Sequence, residues 1–236
     1  MIRSLCVVIT LLCVPLIARA ETEGDPFEGW NRAVFSFNQK ADEYVLTPVA
    51  KGYRAVTPAP VRKGVGNFFN NLGEPITAVN SALQAKPGKA VRSLTRFLFN
   101  TTFGLFGLFD VAGVMGLERE KEDLGQTLAY WGVGSGPYLV LPILGPSNLR
   151  DLGGQFGDRP LNPVSWQDEV GMAELMIADG IQTREQLLGL EPKTVGDPYV
   201  LMRSAYEQRR RYEINDGIVV DLFLDDPFLD DPSVAQ

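Results

Sequence analysis

Apolar side chains recur along this chain at three- and four-residue steps, the spacing that lines one face of a helix. Phe27, Trp30, Val34, Phe37, Ala41 and Tyr44 mark such a face. Asp25-Pro26-Phe27-Glu28 supplies its start, with Asp as N-cap, Pro in the first turn and Glu placed to reach back. Thr47-Pro48 supplies its end. Three shorter helices punctuated by proline follow, at about 48–56, 59–72 and 75–85, and Val61, Val65, Phe68, Phe69 and Leu72 make the second strongly amphipathic. Lys86-Pro87-Gly88-Lys89 opens another, running to about Thr102, with Val91, Leu94, Leu98 and Thr101 on one side and Arg92 and Arg96 on neighbouring faces. Later, Val170, Ala173, Ile177, Ile181 and Leu188 predict a helix bent at Gly180. Asp197-Pro198 begins the last, with Val200, Leu201, Ala205 and Tyr212 among Arg203, Arg209, Arg210 and Arg211. The fold is therefore mainly α, and short helices joined by Pro and Gly predict a chain wrapped round something rather than a straight bundle.

Two stretches depart from this period. Between Asp123 and Arg150 lie twenty-six residues without a charge, LGQTLAYWGVGSGPYLVLPILGPSNL. The length would cross a bilayer as a helix. The composition argues against one: Gly125, Gly132, Gly134, Gly136 and Gly145, with Pro137, Pro142 and Pro146, would break it every few residues. Such backbone is tolerated at membrane depth only where it is packed in protein or lines a watery cavity. The stretch is read as a two-legged hairpin, Gln126–Trp131 and Tyr138–Leu144, bent at GVGSG, that enters an apolar environment and returns. A buried Gly/Pro-rich loop of a soluble domain fits the composition equally. Beyond it, Ser147 is placed to cap a short helix through Asn148, Arg150 and Asp151 to Gly153.

The second stretch, FLFNTTFGLFGLF, follows Arg96 with thirteen uncharged residues before Asp110. Phe97, Phe99, Phe103, Phe106 and Phe109 put rings on several sides, and Gly104 and Gly107 loosen the run. This suits a helix lying in the plane of one leaflet, with Arg96 reaching toward head groups. A buried Phe or Leu is worth roughly 1.5–3 kcal/mol, so the eight in this run would hold the chain in lipid without an acyl group. A buried core helix is the alternative. Glu118–Asp123 reads as a solvated break before the hairpin.

At 236 residues the chain has ample length for a core. Arg3, the apolar run Leu5 to Ile17 and Ala18-Arg19-Ala20 form a Sec-type export signal, so residues 1–20 are expected to be removed. Removal takes Arg3, Arg19 and both cysteines, leaving 20 basic and 29 acidic residues, a net of −9. Residues 21–212 then form one helical domain. From Glu213 to residue 236 there are seven acidic residues and no basic one, the composition of a disordered tail.

Four stretches carry a family resemblance: DPFEGWNRAVFSFN (25–38), RFLFNTTFGLFGLFDVAG (96–113), GQTLAYWGVGSGPYLVLPILGPSNLRDLGG (125–154) and DPYVLMRSAYEQRR (197–210). Together they resemble the MlaA/VacJ family over about residues 25–215. The resemblance implies a ring of amphipathic helices around a central channel, with the re-entrant hairpin at one side. It places that ring in the inner leaflet of a Gram-negative outer membrane, beside a trimeric porin. It also implies passage of outer-leaflet phospholipids to a soluble periplasmic carrier, and onward to an ATP-driven inner-membrane complex. The chain departs from the family at its anchor: better-known members carry an acylated Cys after a small residue at the cleavage site, whereas Cys6 follows Leu5 and Cys13 follows Leu12. Cleavage after Ala20 without acylation is expected.

Chemistry is restricted. With no His and no Cys beyond the signal, thiolate or imidazole metal sites and Ser–His or Cys–His nucleophiles are excluded. Gly132-x-Gly134-x-Gly136 lacks dinucleotide spacing, Lys86-Pro87-Gly88-Lys89-Ala90 lacks the first Gly and the final Ser/Thr of a P-loop, and Ser135 is not flanked as a nucleophile elbow. The charge balance has the wrong sign for nucleic acid. No cofactor, metal or enzymatic activity is expected. Physical transport remains, and a path for a diacyl phospholipid needs polar groups beside greasy walls. Gly132, Gly134, Gly136 and Pro137 would form its hinge, with Tyr138 and Pro142 on an apolar leg. Arg150 and free N–H groups near Ser147 would meet a phosphate, or Arg150 pairs with Asp151 or Asp158. Asn31, Arg32 and Asn38 lie off the apolar face of the first helix, lining the same space or tying helices together. A membrane-perturbing or scaffolding protein that moves nothing is the alternative.

Overall fold

The computed structural model describes residues 25–190 and 196–218. The signal at 1–20 and most of the acidic tail lie outside these residues. Helix α1 (Glu28–Ala41) widens into a π-turn (Asp42–Leu46) and continues as α2 (Thr47–Val56). Thr47-Pro48 therefore does not end the first helix: the helical backbone runs on from the π-turn through Pro48 into α2. At the other end, Asp25 accepts from the Phe27 N–H at 2.9 Å and so caps the turn before the helix, not the helix itself.

Helix α3 (Ala59–Leu83) is one 25-residue element running through Pro75, where the sequence predicted two. The cost of an interior proline, about 3 kcal/mol, is offset by packing against α4 (Pro87–Thr102), its most extensive partner. The aromatic run is not a continuous helix. It leaves α4 after Thr102 and folds into turns in which Leu105 and Phe106 take φ of 51° and 59°. Gly104 permits this, since a Cβ there would stand 2.2 Å from the Phe109 carbonyl oxygen. A single turn, α5 (Val111–Val114), follows, capped by Asp110.

Helix α6 (Leu124–Tyr130) is capped by Asp123. Strands β1 (Tyr138–Leu141) and β2 (Gly145–Asn148) pair antiparallel, with Tyr138 opposite Asn148 and Leu141 opposite Gly145. The hairpin is thus displaced from its predicted position. Its bend is Pro142-Ile143-Leu144, and the expected first leg, Gln126–Trp131, is mostly helix. Helix α7 (Leu149–Asp158) is capped by Asn148 rather than Ser147 and runs past Gly153. Two 3₁₀ turns (Arg159–Leu161 and Pro163–Trp166) lead to α8 (Glu169–Leu187), and α9 (Pro198–Ile214) starts at Asp197 as the sequence indicated.

The interior reverses the rule for water-soluble domains, whose buried residues are mostly apolar. Among the described residues six apolar side chains are buried against twenty-one polar or charged ones. On α3 the buried face is Asn71, Glu74, Thr77, Asn80 and Ser81; on α4 it is Ser93, Arg96 and Asn100. The apolar faces read from the sequence turn outward instead: Trp30, Phe37 and Tyr44, then Val91, Leu94 and Leu98, are all exposed. No described helix is long and apolar enough to cross a membrane.

Candidate functional site

The hairpin is held from one side by amides. Asn31 of α1 donates to the Tyr138 carbonyl at 3.0 Å and accepts from the Val140 N–H at 2.8 Å. Two helical turns on, Asn38 donates to the Leu141 carbonyl at 2.9 Å and accepts from the Ile143 N–H at 2.7 Å. These two side chains do for the outer edge of β1 what another strand would do, satisfying backbone groups that burial would otherwise strand. Of the two roles left open for Asn31 and Asn38, tying elements together is the one the geometry supplies. Arg32 points elsewhere, pairing with Glu28 and Asp197 at 2.7 Å each and lying 4.5 Å over the Tyr199 ring.

Beneath β1 sits the small apolar core of Val34, Tyr138, Val140 and Tyr199. The Tyr199 hydroxyl donates to Asp25, which also accepts from Asn31. Partial burial works against ionisation of Asp25, but these bonds and the Phe27 N–H outweigh it and hold the carboxyl below its ordinary value.

Arg150 is buried and spent on Asp151, with Nε and Nη2 each 3.0 Å from Oδ1. The N–H groups at the start of α7 are occupied as well: Leu149 donates to the Pro137 carbonyl, Arg150 to that of Ser135, and Asp151 to the Asn148 side chain. Of the two roles left open for Arg150, pairing with Asp151 is the one the geometry supplies, and this corner is a structural clamp. Arg210 of α9 completes it, donating to Asp123 at 2.6 and 2.8 Å and to Asp151 at 2.8 and 3.0 Å. Burial opposes the charge on Asp123, yet the Arg210 guanidinium keeps its carboxyl below the usual range. Helices α6 and α7 meet here backbone to backbone, since a Cβ on Gly154 would stand 2.5 Å from the Gly125 nitrogen. Between them, Gly132 and Gly136 take φ of 87° and 66°; Gly134 and Pro137 share the same irregular segment. Pro142 is exposed in the hairpin bend.

Arg96 does not extend toward head groups. It is buried, donating to Glu74 at 2.9 Å, to Asp110 at 3.0 Å and to the Leu117 carbonyl. Burial raises the Glu74 carboxyl despite this partner. Glu122, expected in a solvated break, is also buried, accepting from Gln84 at 3.0 Å and Lys89 at 3.1 Å. The rings beyond Arg96 divide: Phe97 and Phe99 are half-buried, while Phe103, Phe106 and Phe109 stand 60–74 % exposed.

Two cavities follow α1 and α2. The smaller, about 540 Å³, lies between Phe35, Asn38 and Leu46, the hairpin residues Ile143 and Gly145, and Met202 of α9. The larger, about 840 Å³, is lined by Thr47, Lys51 and Arg54 opposite Arg184 and Leu188 of α8. Asp42 and Glu43, in the π-turn, border both. Arg184 crosses the space to Asp42 at 2.6 and 2.9 Å. Of the residues singled out in the sequence, Asn38 borders this space directly, as does Ile143 of the predicted leg Tyr138–Leu144. Phe35, Asp42, Glu43, Lys51 and Met202 were missed. The readable signal was the second face of the first helix, where Asn31, Phe35, Asn38 and Asp42 recur at helical steps. No group of described His, Cys, Asp or Glu residues is arranged to hold a metal ion.

A helical fold with hydrogen-bonded polar groups inside and aromatic and aliphatic groups outside defines a class of protein built to rest against lipid. Residues 23–213 match the family model described as MlaA lipoprotein. The chain belongs to the MlaA lipoprotein family, as the four sequence stretches indicated. It is 41 % identical over 202 residues to the intermembrane phospholipid transport system lipoprotein MlaA of Escherichia coli, covering 82 % of this chain and 79 % of the relative. To the protein of the same name in Shigella flexneri it is 42 % identical over 203 residues, with the same coverages. A solved structure described as the structural basis for maintenance of bacterial outer membrane lipid asymmetry superposes with a TM-score of 0.76 at 40 % identity. It covers 82 % of this chain and all of that one.

Proposed function

We propose that this protein passes phospholipids from the outer leaflet of a Gram-negative outer membrane toward the periplasm, through a channel ringed by its helices. The observation that carries the reading is the run of two cavities sharing Asp42 and Glu43, with Phe35, Leu46, Ile143 and Met202 beside amides and carboxylates near the hairpin, and Lys51, Arg54 and Arg184 at the far end. A head group needs polar partners along its path while its tails need greasy walls, and the polar interior with an apolar rim offers both. The relatives named for intermembrane phospholipid transport support the same direction of inference. The exposed rings of Phe103, Phe106 and Phe109 rest in the inner leaflet, next to a trimeric porin, and a soluble periplasmic carrier accepts the lipid. No bond is made or broken in this passage, so no fatty acid is released. Because Ile143 and Gly145 border the smaller cavity, tilting of the hairpin over the segment Gly132 to Pro137 opens and closes the path.

The test is to delete the gene and quantify phospholipid exposed on the cell surface. Accumulation that the wild-type copy reverses is expected. Unchanged surface phospholipid, with the protein located in the outer membrane of the parent strain, overturns transport and leaves a scaffolding role.

A further inference from the structure

The larger cavity carries two kinds of charge. Asp42 is paired with Arg184, and Arg54 with Glu185 at 2.7 Å. Glu43 and Lys51 line the same wall, and among the described residues their side chains make no ion pair or hydrogen bond. Their placement follows from the π-turn. In an unbroken α-helix, residues eight apart differ by about 80° in direction. The wider turn at Asp42–Leu46, closed by i→i+5 bonds, takes up part of that angle and brings both toward the cavity. They stand about two turns apart, on the order of 11 Å along the axis, too far for a direct pair. An exposed carboxylate and ammonium held apart on one wall match a ligand that presents a cation and an anion in the opposite order.

Resting on the passage proposed above, we infer that this cavity selects a zwitterionic head group of the ethanolamine phosphate type, with Lys51 taking the phosphate and Glu43 the ammonium. A purely anionic head group finds Lys51 but is repelled by Glu43. Selectivity therefore resides in the carboxylate, and capture of any phospholipid in the ammonium. Arg184 and Arg54, whose charges are already countered, shape the site without choosing between head groups.

The experiment uses full-length purified protein equilibrated with vesicles of equal parts phosphatidylethanolamine and phosphatidylglycerol, extracted in mild detergent, with bound lipid quantified by mass spectrometry. Wild-type protein is expected to enrich phosphatidylethanolamine about two- to fivefold, the range set by exposed charge pairs. Glu43→Gln should return the ratio to that of the vesicles with total lipid retained. Glu43→Lys should reverse it, and Lys51→Met should lower both lipids together. Thermal unfolding followed by circular dichroism checks that each variant is folded; neither side chain has a partner to lose among the described residues. A ratio unmoved by Glu43→Gln and Glu43→Lys, with lipid still bound, overturns the head-group assignment and leaves the passage standing. Wild-type protein that binds no lipid overturns both.

Discussion

The α3–α4 pair and the hairpin with α1 and α9 solve the same packing problem in opposite ways. Around the hairpin the interior is conventional: Val34, Tyr138, Val140 and Tyr199 cluster together, with edge-on ring contacts such as the 5.8 Å pair of Phe35 and Tyr199. Where α3 meets α4, α6 and α7, the interior is made of polar groups. Arg96 joins Glu74 to Asp110, Thr127 donates to Asn80, and Asn80 to Asp158. On these two helices Val61, Val79, Leu83, Val91, Leu94 and Leu98 face out, while Phe68, Phe69, Phe97 and Phe99 are half-buried. Apolar burial gives the first region its stability in water. The second has little of it, so its cohesion comes from hydrogen bonds, which an apolar surrounding strengthens.

The largest effect should come from cutting the polar chain. Arg96→Leu leaves the buried Glu74 with only the more distant cation Arg119, at 3.6 Å, and takes the cation from the partly exposed Asp110; a broken buried pair costs about 3–5 kcal/mol. Thermal unfolding in detergent micelles should show a large drop, and the double variant Arg96→Leu, Glu74→Leu should recover much of it. If the single variant unfolds like wild type, the two regions do not differ in the way described. On the hairpin side, Asn31→Ala strands the Tyr138 carbonyl and the Val140 N–H, at about 1–3 kcal/mol for each group left unsatisfied. Limited proteolysis should then cut within 138–148 while α3 and α4 stay protected.

Acid should act more gently, and on the clamp that lies between the two regions. Asp123 has a lowered carboxyl value, so the stability it contributes is present above the ordinary carboxylate value and fades as pH falls through its folded one. The window therefore lies below about pH 4. Unfolding temperature measured across that range should fall less steeply in Asp123→Asn than in wild type. The smallest effect on folding belongs to the rim. Phe103→Ser and Phe106→Ser should change unfolding in detergent by no more than about 0.5 kcal/mol, as surface substitutions do. Retention on vesicles should nonetheless drop, since each ring sunk in lipid is worth roughly 1.5–3 kcal/mol.

Much of the helix content was legible because the period of apolar residues does not depend on what they face. The direction of each face was not legible for the same reason. Trp30, Phe37 and Tyr44 mark a helix whether they meet a core or a bilayer, and only the partners of Asn31 and Asn38 reveal which way α1 turns. Pro75 reads as a stop because the sequence does not display the α4 surface that holds α3 together. GVGSG reads as a hairpin bend because its glycines permit many turns, whereas the true bend at Pro142-Ile143-Leu144 places a non-glycine residue, Ile143, at φ 67°. The candidate site was largely hidden. Its walls are assembled by α2 and α8, far apart in sequence, and by a π-turn that no residue pattern announces.

The contact of Gly125 with Gly154 has a mechanical consequence. Two helices whose backbones touch have no side-chain layer to shear, so α6 and α7 move as one rigid piece, locked further by the Arg210 guanidinium. Any swing of the strands they carry must be absorbed by the seven residues from Trp131 to Pro137 on one side, because β2 runs straight into α7 on the other. For the hairpin tilt proposed above, this makes a lopsided hinge, with one slack cord and one stiff arm, in which the bend at Ile143 would travel an arc about the stiff arm once the Asn31 and Asn38 bonds let go.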